Sequence, residues 1–137
     1  MPSWFPSRKY EAVIEPERIT LGNDTVRVEV EPRVWVAEDG RILGLGARPP
    51  ETSGRAIDVF GPATPAEAPR FEARFDALEK LFRHLIRTTH KSALFALRPH
   101  VRVHGAASLR ALLGGREEQF VRDALIGAGA SKVEFAT

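Results

Sequence analysis

The sequence predicts a single α/β domain in which short antiparallel strands precede an alternation of helices and strands. Apolar and polar residues alternate at a period of two in several runs within residues 10–45, which is typical of half-buried strands. Residues 71–90 instead repeat apolar side chains every three or four positions, as an amphipathic helix does. The chain has 137 residues, which is enough for one core of ordinary size, so we expect residues 1–137 to form one domain.

Five short strands are predicted within residues 10–45, and turn residues separate them. They cover residues 10–14, 18–21, 25–30, 34–37 and 42–45. Gly22, Asn23 and Asp24 tolerate the backbone angles of a tight turn, and Asp39 with Gly40 favours a second one. The first three strands therefore form an antiparallel meander, and the last two form a hairpin.

Residues 47–69 are predicted to be mostly irregular. They hold half of the ten prolines of the chain, and proline interrupts both helices and sheets. A short strand at residues 57–60 is the one regular element that we expect there. We interpret this stretch as a surface excursion within one domain, because the part of the chain before it is too small to fold alone.

The central helix and the strand after it organise the rest of the chain. The apolar face of the helix consists of Phe75, Leu78, Phe82, Leu85, Ile86 and Thr89. Pro99 cannot continue a helix, and residues 100–104 then alternate as a strand. One helical turn near residues 109–113, a second helix at 116–128 and a last strand at 132–135 follow. This alternation favours parallel strands.

A meander that feeds a strand-helix-strand-helix-strand unit is the pattern of a ribonuclease H-like core, the repeated half of actin-type ATPases. The sequence resembles the N-terminal half of the bacterial actin-like rod-shape-determining (MreB-type) proteins. The stretch DALEKLFRHLIRTTHK (76–91) is similar to the first long helix of that family, and residues 116–134 are similar to its next helix and strand. Residues 31–46 resemble its Asn-Glu-Pro-Ser strand and the hairpin that follows. The likeness covers most of residues 10–135.

The chain departs from the family where the family binds nucleotide. The family carries Asp-Leu-Gly-Thr after its first strand, and backbone amides there hold phosphate. Here the corresponding turn contains Glu15, Pro16 and Glu17. Proline lacks an amide hydrogen and the two carboxylates repel phosphate. The small-subdomain helix expected after Gly46 is replaced, and the second phosphate-binding half does not follow. The resemblance therefore implies a degenerate ATPase half without catalytic residues or a cofactor.

Composition excludes several other classes of site. Hydrophobic residues make up 43% and charged residues 28% of the chain, the net charge is +2, and there is no cysteine. Thiolate metal sites and cysteine nucleophiles are thus excluded. No apolar run approaches the roughly 18 residues that span a bilayer, and the N-terminus lacks a signal-like apolar core, so we expect a cytoplasmic protein. The basic residues are dispersed among acids, which does not favour nucleic acid.

The sequence does not favour a metal site or a nuclease site, and it leaves nucleic-acid binding as an alternative. A metal site needs ligands that converge, and the spacing of the four histidines does not unite them: His84, His90, His100 and His104. A two-metal nuclease needs clustered carboxylates, and nothing singles out the three on the predicted strands: Glu11, Glu29 and Glu134. Nucleic acid remains an alternative partner for three strand arginines: Arg27, Arg33 and Arg102.

The function that we expect is protein–protein interaction, with a cytoskeletal or morphogenetic partner or with a second copy. Half of an actin-type core exposes the surface that its other half would cover, and that surface must be polar or covered. The candidate interaction residues, each of which also has an interpretation as local core, are Trp35, Phe60, Phe95, Leu109, Leu112 and Leu113. A nucleotide-binding module completed by dimerisation is an alternative. Trp4 and Phe5 offer peripheral membrane contact as an alternative to local packing.

Overall fold

The computed structural model describes residues 9–24, 26–39, 41–46, 54–60, 71–89 and 98–136. The strands before the long helix are β1 (Lys9–Glu15), β2 (Arg18–Gly22), β3 (Arg27–Val30), β4 (Arg33–Val36), β5 (Ile42–Leu45) and β6 (Arg55–Asp58). Then follow α1 (Phe71–Thr89), β7 (His100–His104), a 3₁₀ turn (Ala106–Leu109), α2 (Arg110–Leu113), α3 (Glu117–Ala128) and β8 (Lys132–Phe135). No helix in these ranges is both long and apolar enough to cross a membrane.

The larger sheet has five strands in the order β3-β2-β1-β7-β8. Strand β2 is antiparallel to both β1 and β3, whereas β1, β7 and β8 run parallel. The predicted meander and the predicted parallel portion are therefore both confirmed. Strand β1 lies at the centre, and its Tyr10 and Ala12 stand beside Val101 and Val103 of β7. These four side chains are buried because they point to the face that the helices cover.

The smaller sheet has three antiparallel strands in the order β5-β4-β6. The predicted β4–β5 hairpin is confirmed. The strand predicted at residues 57–60 is displaced, because it lies at Arg55–Asp58 and pairs with β4. The N–H of Val59 donates to the carbonyl oxygen of Pro32 at 2.9 Å, which extends the same register by one residue beyond the strand. Most of the proline-rich excursion predicted at residues 47–69 lies outside the described residues.

Both long helices are confirmed within a few residues of their predicted bounds. The predicted apolar face of α1 packs inward, with Leu78, Phe82 and Leu85 fully buried. Helices α1 and α3 pack against each other, and the rings of Phe75 and Phe120 meet edge to face with centroids 5.7 Å apart. Helix α1 also contacts β2 and β3 as well as β4 and β6, while α3 contacts β8. One hydrophobic core therefore joins the two sheets.

The other face of the five-stranded sheet carries charged side chains. Lys9, Glu11, Arg102, Lys132 and Glu134 all point to that face and are exposed. Among the described residues no helix contacts it, because α1 and α3 share the opposite face. A mixed sheet with parallel strands commonly has both faces covered. The exposure of this face along β1, β7 and β8, in the part of the chain that the structure describes, is thus the unusual feature of the fold.

Candidate functional site

The uncovered face of the five-stranded sheet is the first candidate site, and we name it the polar face. It is built from alternate residues of β1, β7 and β8, whose side chains point away from the helices. Its members are Lys9, Glu11, His100, Arg102, His104, Lys132 and Glu134. The residues between them in sequence point to the opposite face and pack in the core. The alternation of side chains along each strand therefore produces both the core and this charged surface.

The strand register arranges the polar face in two rows. Lys9, His100 and Lys132 stand side by side in the first row, and Glu11, Arg102 and Glu134 stand side by side in the second. Neighbouring strands are about 4.8 Å apart, so Arg102 lies between two carboxylates. The first row is basic and the second has acids at both ends. Opposite charges therefore adjoin both along and across the strands.

One ion pair and one histidine–carboxylate contact are formed within this face. Nζ of Lys132 lies 3.0 Å from Oε1 of Glu134, and Nε2 of His104 lies 3.1 Å from Oε1 of Glu11. The hydrogen bond from Lys132 and its charge lower the pKa of Glu134, and the charges of Arg102 and Lys9 add to that effect. Glu134 is thus held as a carboxylate at neutral pH.

An open depression of about 570 Å³ lies at the end of the polar face where β1, β7 and β8 begin. The first row lines it together with Asn23 and Asp24, which follow β2. Oδ1 of Asn23 accepts a 3.0 Å hydrogen bond from the N–H of Val26, which fixes the β2–β3 turn at the rim. The lining carries both signs of charge, which suits a mixed protein surface better than a polyanion.

The opposite end of the sheet is where α/β proteins usually bind ligands, at the carboxyl ends of parallel strands. Here β1 turns into β2 through only Pro16 and Glu17, and Nε of Arg18 lies 3.4 Å from Oε1 of Glu15. Pro16 has no amide hydrogen to offer an anion. Beside this turn, Gly105 follows β7 with φ of 83°. The turn is therefore too short and too acidic to surround a phosphate group.

The histidines do not form a metal site in the part of the chain that the structure describes. No group of three histidine, aspartate or glutamate side chains converges there in a way that would hold an ion. His84 is exposed on α1, and His90 lies outside the described residues. His100 and His104 share the polar face, as their spacing predicted, and His104 contacts Glu11.

The candidate interaction residues that the structure describes are buried or half-buried. Phe60 and Leu109 are 8% and 2% exposed, so both follow their interpretation as local core. Phe60 follows β6 into the space under α1, and Leu109 closes the 3₁₀ turn against α3. Trp35 is half-buried, and its Nε1–H donates to the carbonyl oxygen of Gly46 at 3.0 Å.

Of the other residues predicted to lie at a surface, the structure describes the side chain of Leu113. Leu113 is partly buried against the core. Phe95 lies outside the described residues, as do Trp4 and Phe5, and the side chain of Leu112 is also outside them. The polar face itself was missed by the sequence analysis. Its signal was present in the charged residues that alternate with the buried ones in β1, β7 and β8.

Comparison with known proteins assigns no family to this chain. No protein-family model matches this chain. A search of curated proteins also found no match.

Proposed function

We propose that this chain is a non-catalytic α/β domain that binds another protein through its polar face. The observation that carries the proposal is the exposed group of charged side chains of both signs, which stand in register across β1, β7 and β8. Within the face, Lys132 pairs with Glu134 and His104 contacts Glu11. These charged side chains can therefore remain exposed to water. The face also offers a fixed pattern of charges that a partner can match.

The strand order supports a ribonuclease H-like core of the actin-subdomain type. An antiparallel meander lies on one side of the central strand, and two parallel strands lie on the other. The three-stranded sheet is inserted between β3 and α1, where the actin-type proteins have a small subdomain. This topology, together with the resemblance described above, makes a cytoskeletal or cell-morphogenesis protein the first candidate partner. We expect the protein to act in the cytoplasm.

The two-residue β1–β2 turn supports a domain without nucleotide chemistry. A phosphate loop presents several amide hydrogens to the anion, whereas this turn contains Pro16 and is flanked by the carboxylates of Glu15 and Glu17. Mg·ATP titrated into the protein should therefore give no saturable heat at millimolar nucleotide, and the melting temperature should not rise. Saturable micromolar binding would contradict this part of the proposal and favour the nucleotide module completed by a second chain.

Charge reversal at the centre of the polar face tests the binding proposal. Arg102→Glu places a third carboxylate between Glu11 and Glu134 and should abolish the match to a partner. Proteins retained by the wild-type domain but not by Arg102→Glu would be identified, purified and titrated against both. The expected result is a loss of affinity of at least about tenfold, since a charge reversal adds repulsion to the lost attraction.

Arg87→Glu is the matched control for that experiment, because Arg87 is exposed on α1, away from the polar face. It should bind the purified partner as the wild type does. Equal affinity of wild type and Arg102→Glu would show that the polar face is not the binding surface. If binding instead falls steeply with salt and is specific to nucleic acid, the alternative partner class gains support.

A further inference from the structure

We infer that a second copy of this chain joins at the free edge of β8, so that two five-stranded sheets become one ten-stranded sheet. Strand β8 is the last in the order of the larger sheet, so no described strand pairs with its outer side. This contact uses the edge of the sheet, and it goes beyond the proposed function because it requires no partner on the polar face. The two proposals can therefore fail separately.

The backbone of β8 is suited to an antiparallel partner. The N–H of Ala136 donates to the carbonyl oxygen of Val103 at 2.9 Å, and Phe135 stands beside Val103 in the parallel register, so the even-numbered positions of β8 direct their hydrogen-bonding groups toward β7. Hydrogen-bonding groups point to opposite sides at successive positions along a strand. The N–H and C=O of Val133 consequently point to the free edge, where a neighbouring strand would bond them.

The sequence of β8 is charge-complementary to itself in that arrangement. An antiparallel pair with its twofold axis at Val133 sets Lys132 opposite Glu134 of the other copy, and Glu134 opposite Lys132. Val133 then forms the hydrogen-bonded pair at the axis, and Lys132 and Glu134 stand in the flanking non-hydrogen-bonded pairs, where facing side chains are closer. Their side chains meet on the polar face. Opposite charges directly across an antiparallel pair are stabilising, and like charges are destabilising. Each copy contributes one member of each of the two ion pairs.

The spacing of residues along α3 and β8 leads us to expect an exposed apolar residue over the same twofold axis. Cζ of Arg122 in α3 lies 5.0 Å from the ring centroid of Phe135. Residues 129–131 connect α3 to β8, so the helix runs back over the strand. Ile126 follows Arg122 by one turn of α3, which is about 6 Å along the helix. Val133 precedes Phe135 by two residues of β8, which is about 6.6 Å along the strand. Ile126 is thus level with Val133.

Ile126 is 43% exposed, and it is one of two large hydrophobic side chains in the described part of the chain that stay exposed. The twofold axis that pairs β8 with its copy places the two α3 helices side by side and brings Ile126 near its symmetry mate. The strand charges and the exposed isoleucine are independent observations. Both point to the same axis, which is a symmetric interface of the commonest kind.

The edge at β3 has the same pattern of charges and is less accessible. Strand β3 reads Arg27-Val28-Glu29-Val30, and β8 reads Lys132-Val133-Glu134-Phe135. The chain turns from β3 directly into β4, and Gly46 at the end of the small sheet approaches the side chain of Val30. This crowding favours the β8 edge. It also makes the β3 edge a matched control, because an identical charge reversal can be placed there.

Complementary charge reversals test the contact. Sedimentation equilibrium over a concentration series should show a dimer for the wild type. Lys132→Glu alone and Glu134→Lys alone each place like charges opposite each other, and each should weaken dimerisation at least about tenfold. Mixing the two variants restores both pairs and should give a heterodimer of wild-type strength. Arg27→Glu, the control at the β3 edge, should dimerise as the wild type does.

The outcomes separate cleanly. Restoration in the mixture excludes misfolding of the single variants as the cause of their weakness. Ile126→Ser should also weaken the dimer while circular dichroism and the melting curve of the monomer stay unchanged. A wild type that is monomeric throughout the series overturns the inference, and leaves the polar-face proposal intact. If both β8 variants dimerise as the wild type does and Arg27→Glu weakens the dimer, the contact lies at the β3 edge. That result also overturns the inference.

Discussion

The guanidinium of Arg74 donates a 3.0 Å hydrogen bond to the carbonyl oxygen of Val59, which joins α1 to the segment after β6. Arg74 is only 8% exposed. Burial lowers its pKa, while the charge of Asp58 opposes that change. A buried arginine of this kind helps to fix where the small sheet sits on the first turns of the helix, because a buried carbonyl oxygen requires a hydrogen-bond donor.

Arg74→Ala should therefore reduce the free energy of unfolding by about 1–3 kcal/mol, since it leaves a buried carbonyl without its donor and opens space under α1. Urea denaturation followed by circular dichroism measures the change. Arg87→Ala, on the exposed side of the same helix, should change the midpoint by much less. Equal effects of the two substitutions would mean that the Val59 contact contributes nothing.

Gly105→Ala should destabilise the fold more than an ordinary glycine substitution. Gly105 has φ of 83°, and a Cβ atom placed on it would collide with the carbonyl oxygen of Ile14. The left-handed backbone alone costs an L residue roughly 1–2 kcal/mol, and the collision adds to that because both atoms belong to rigid backbone. The midpoint of thermal unfolding should fall accordingly.

Gly114→Ala is the control for that experiment, because Gly114 has φ of 62° and no atom within 4 Å of an added Cβ. Its free energy of unfolding should fall only by the cost of the left-handed backbone conformation, roughly 1–2 kcal/mol. A loss at Gly105 no greater than the loss at Gly114 would show that β1 and the turn after β7 are not in close contact.

Lys132→Ala should raise the pKa of Glu134 toward its ordinary value, because the hydrogen bond and the charge of Lys132 are the main causes of its lowering. A lowered pKa in the folded state stabilises the protein above the ordinary pKa, and that stabilisation is lost as the pH falls through the lowered value. The wild type should therefore lose this stabilisation as the pH falls through the lowered pKa of Glu134. The variant should lose a smaller stabilisation over the same range. Carboxyl NMR titration in dilute solution measures the pKa.

Lys80→Ala supplies the control for the titration, because Lys80 lies on α1 and is not among the groups that lower the pKa of Glu134. Its titration curve for Glu134 should overlay that of the wild type. If Lys132→Ala also overlays it, the 3.0 Å contact between Lys132 and Glu134 is not maintained in solution.

The edge-to-face contact of Phe75 and Phe120 should couple the two long helices. Their centroids are 5.7 Å apart and their planes are 80° apart, a geometry worth about 0.5–1.5 kcal/mol beyond burial. A double-mutant cycle with Phe75→Leu and Phe120→Leu, measured by urea unfolding, should give a coupling energy in that range. Strictly additive losses would show that the rings do not interact.

The order of helices and strands was predictable because local periodicity encodes it. The three-and-four spacing in α1 and the alternation in β7 both report burial on one side of the element, and the structure confirms both. Strand β6 was displaced because the prediction followed the apolar residues Val59 and Phe60. Those two are buried by the turn that follows the strand, and pairing with β4 set the strand itself at Arg55–Asp58.

The interaction surface was predicted less well, because apolar residues in sequence do not announce whether they are exposed. Phe60 and Leu109 were candidates for the surface that also had an interpretation as local core, and both lie in the core. The polar face was hidden for a different reason. Lys9, Arg102 and Glu134 lie far apart in sequence, and the register of parallel strands that brings them together comes from long-range pairing.

The central position of β1 has a consequence for how the chain folds. One side of β1 pairs with β2 across a two-residue turn, but the other side pairs Lys9 with His100. The hairpins can form as soon as they leave the ribosome, whereas the middle of the larger sheet must wait until β7 has been synthesised. Closing so long a loop is slow. Until then the buried side of the meander has no α3 and no β7 beside it, so nascent chains are most prone to aggregation in this interval.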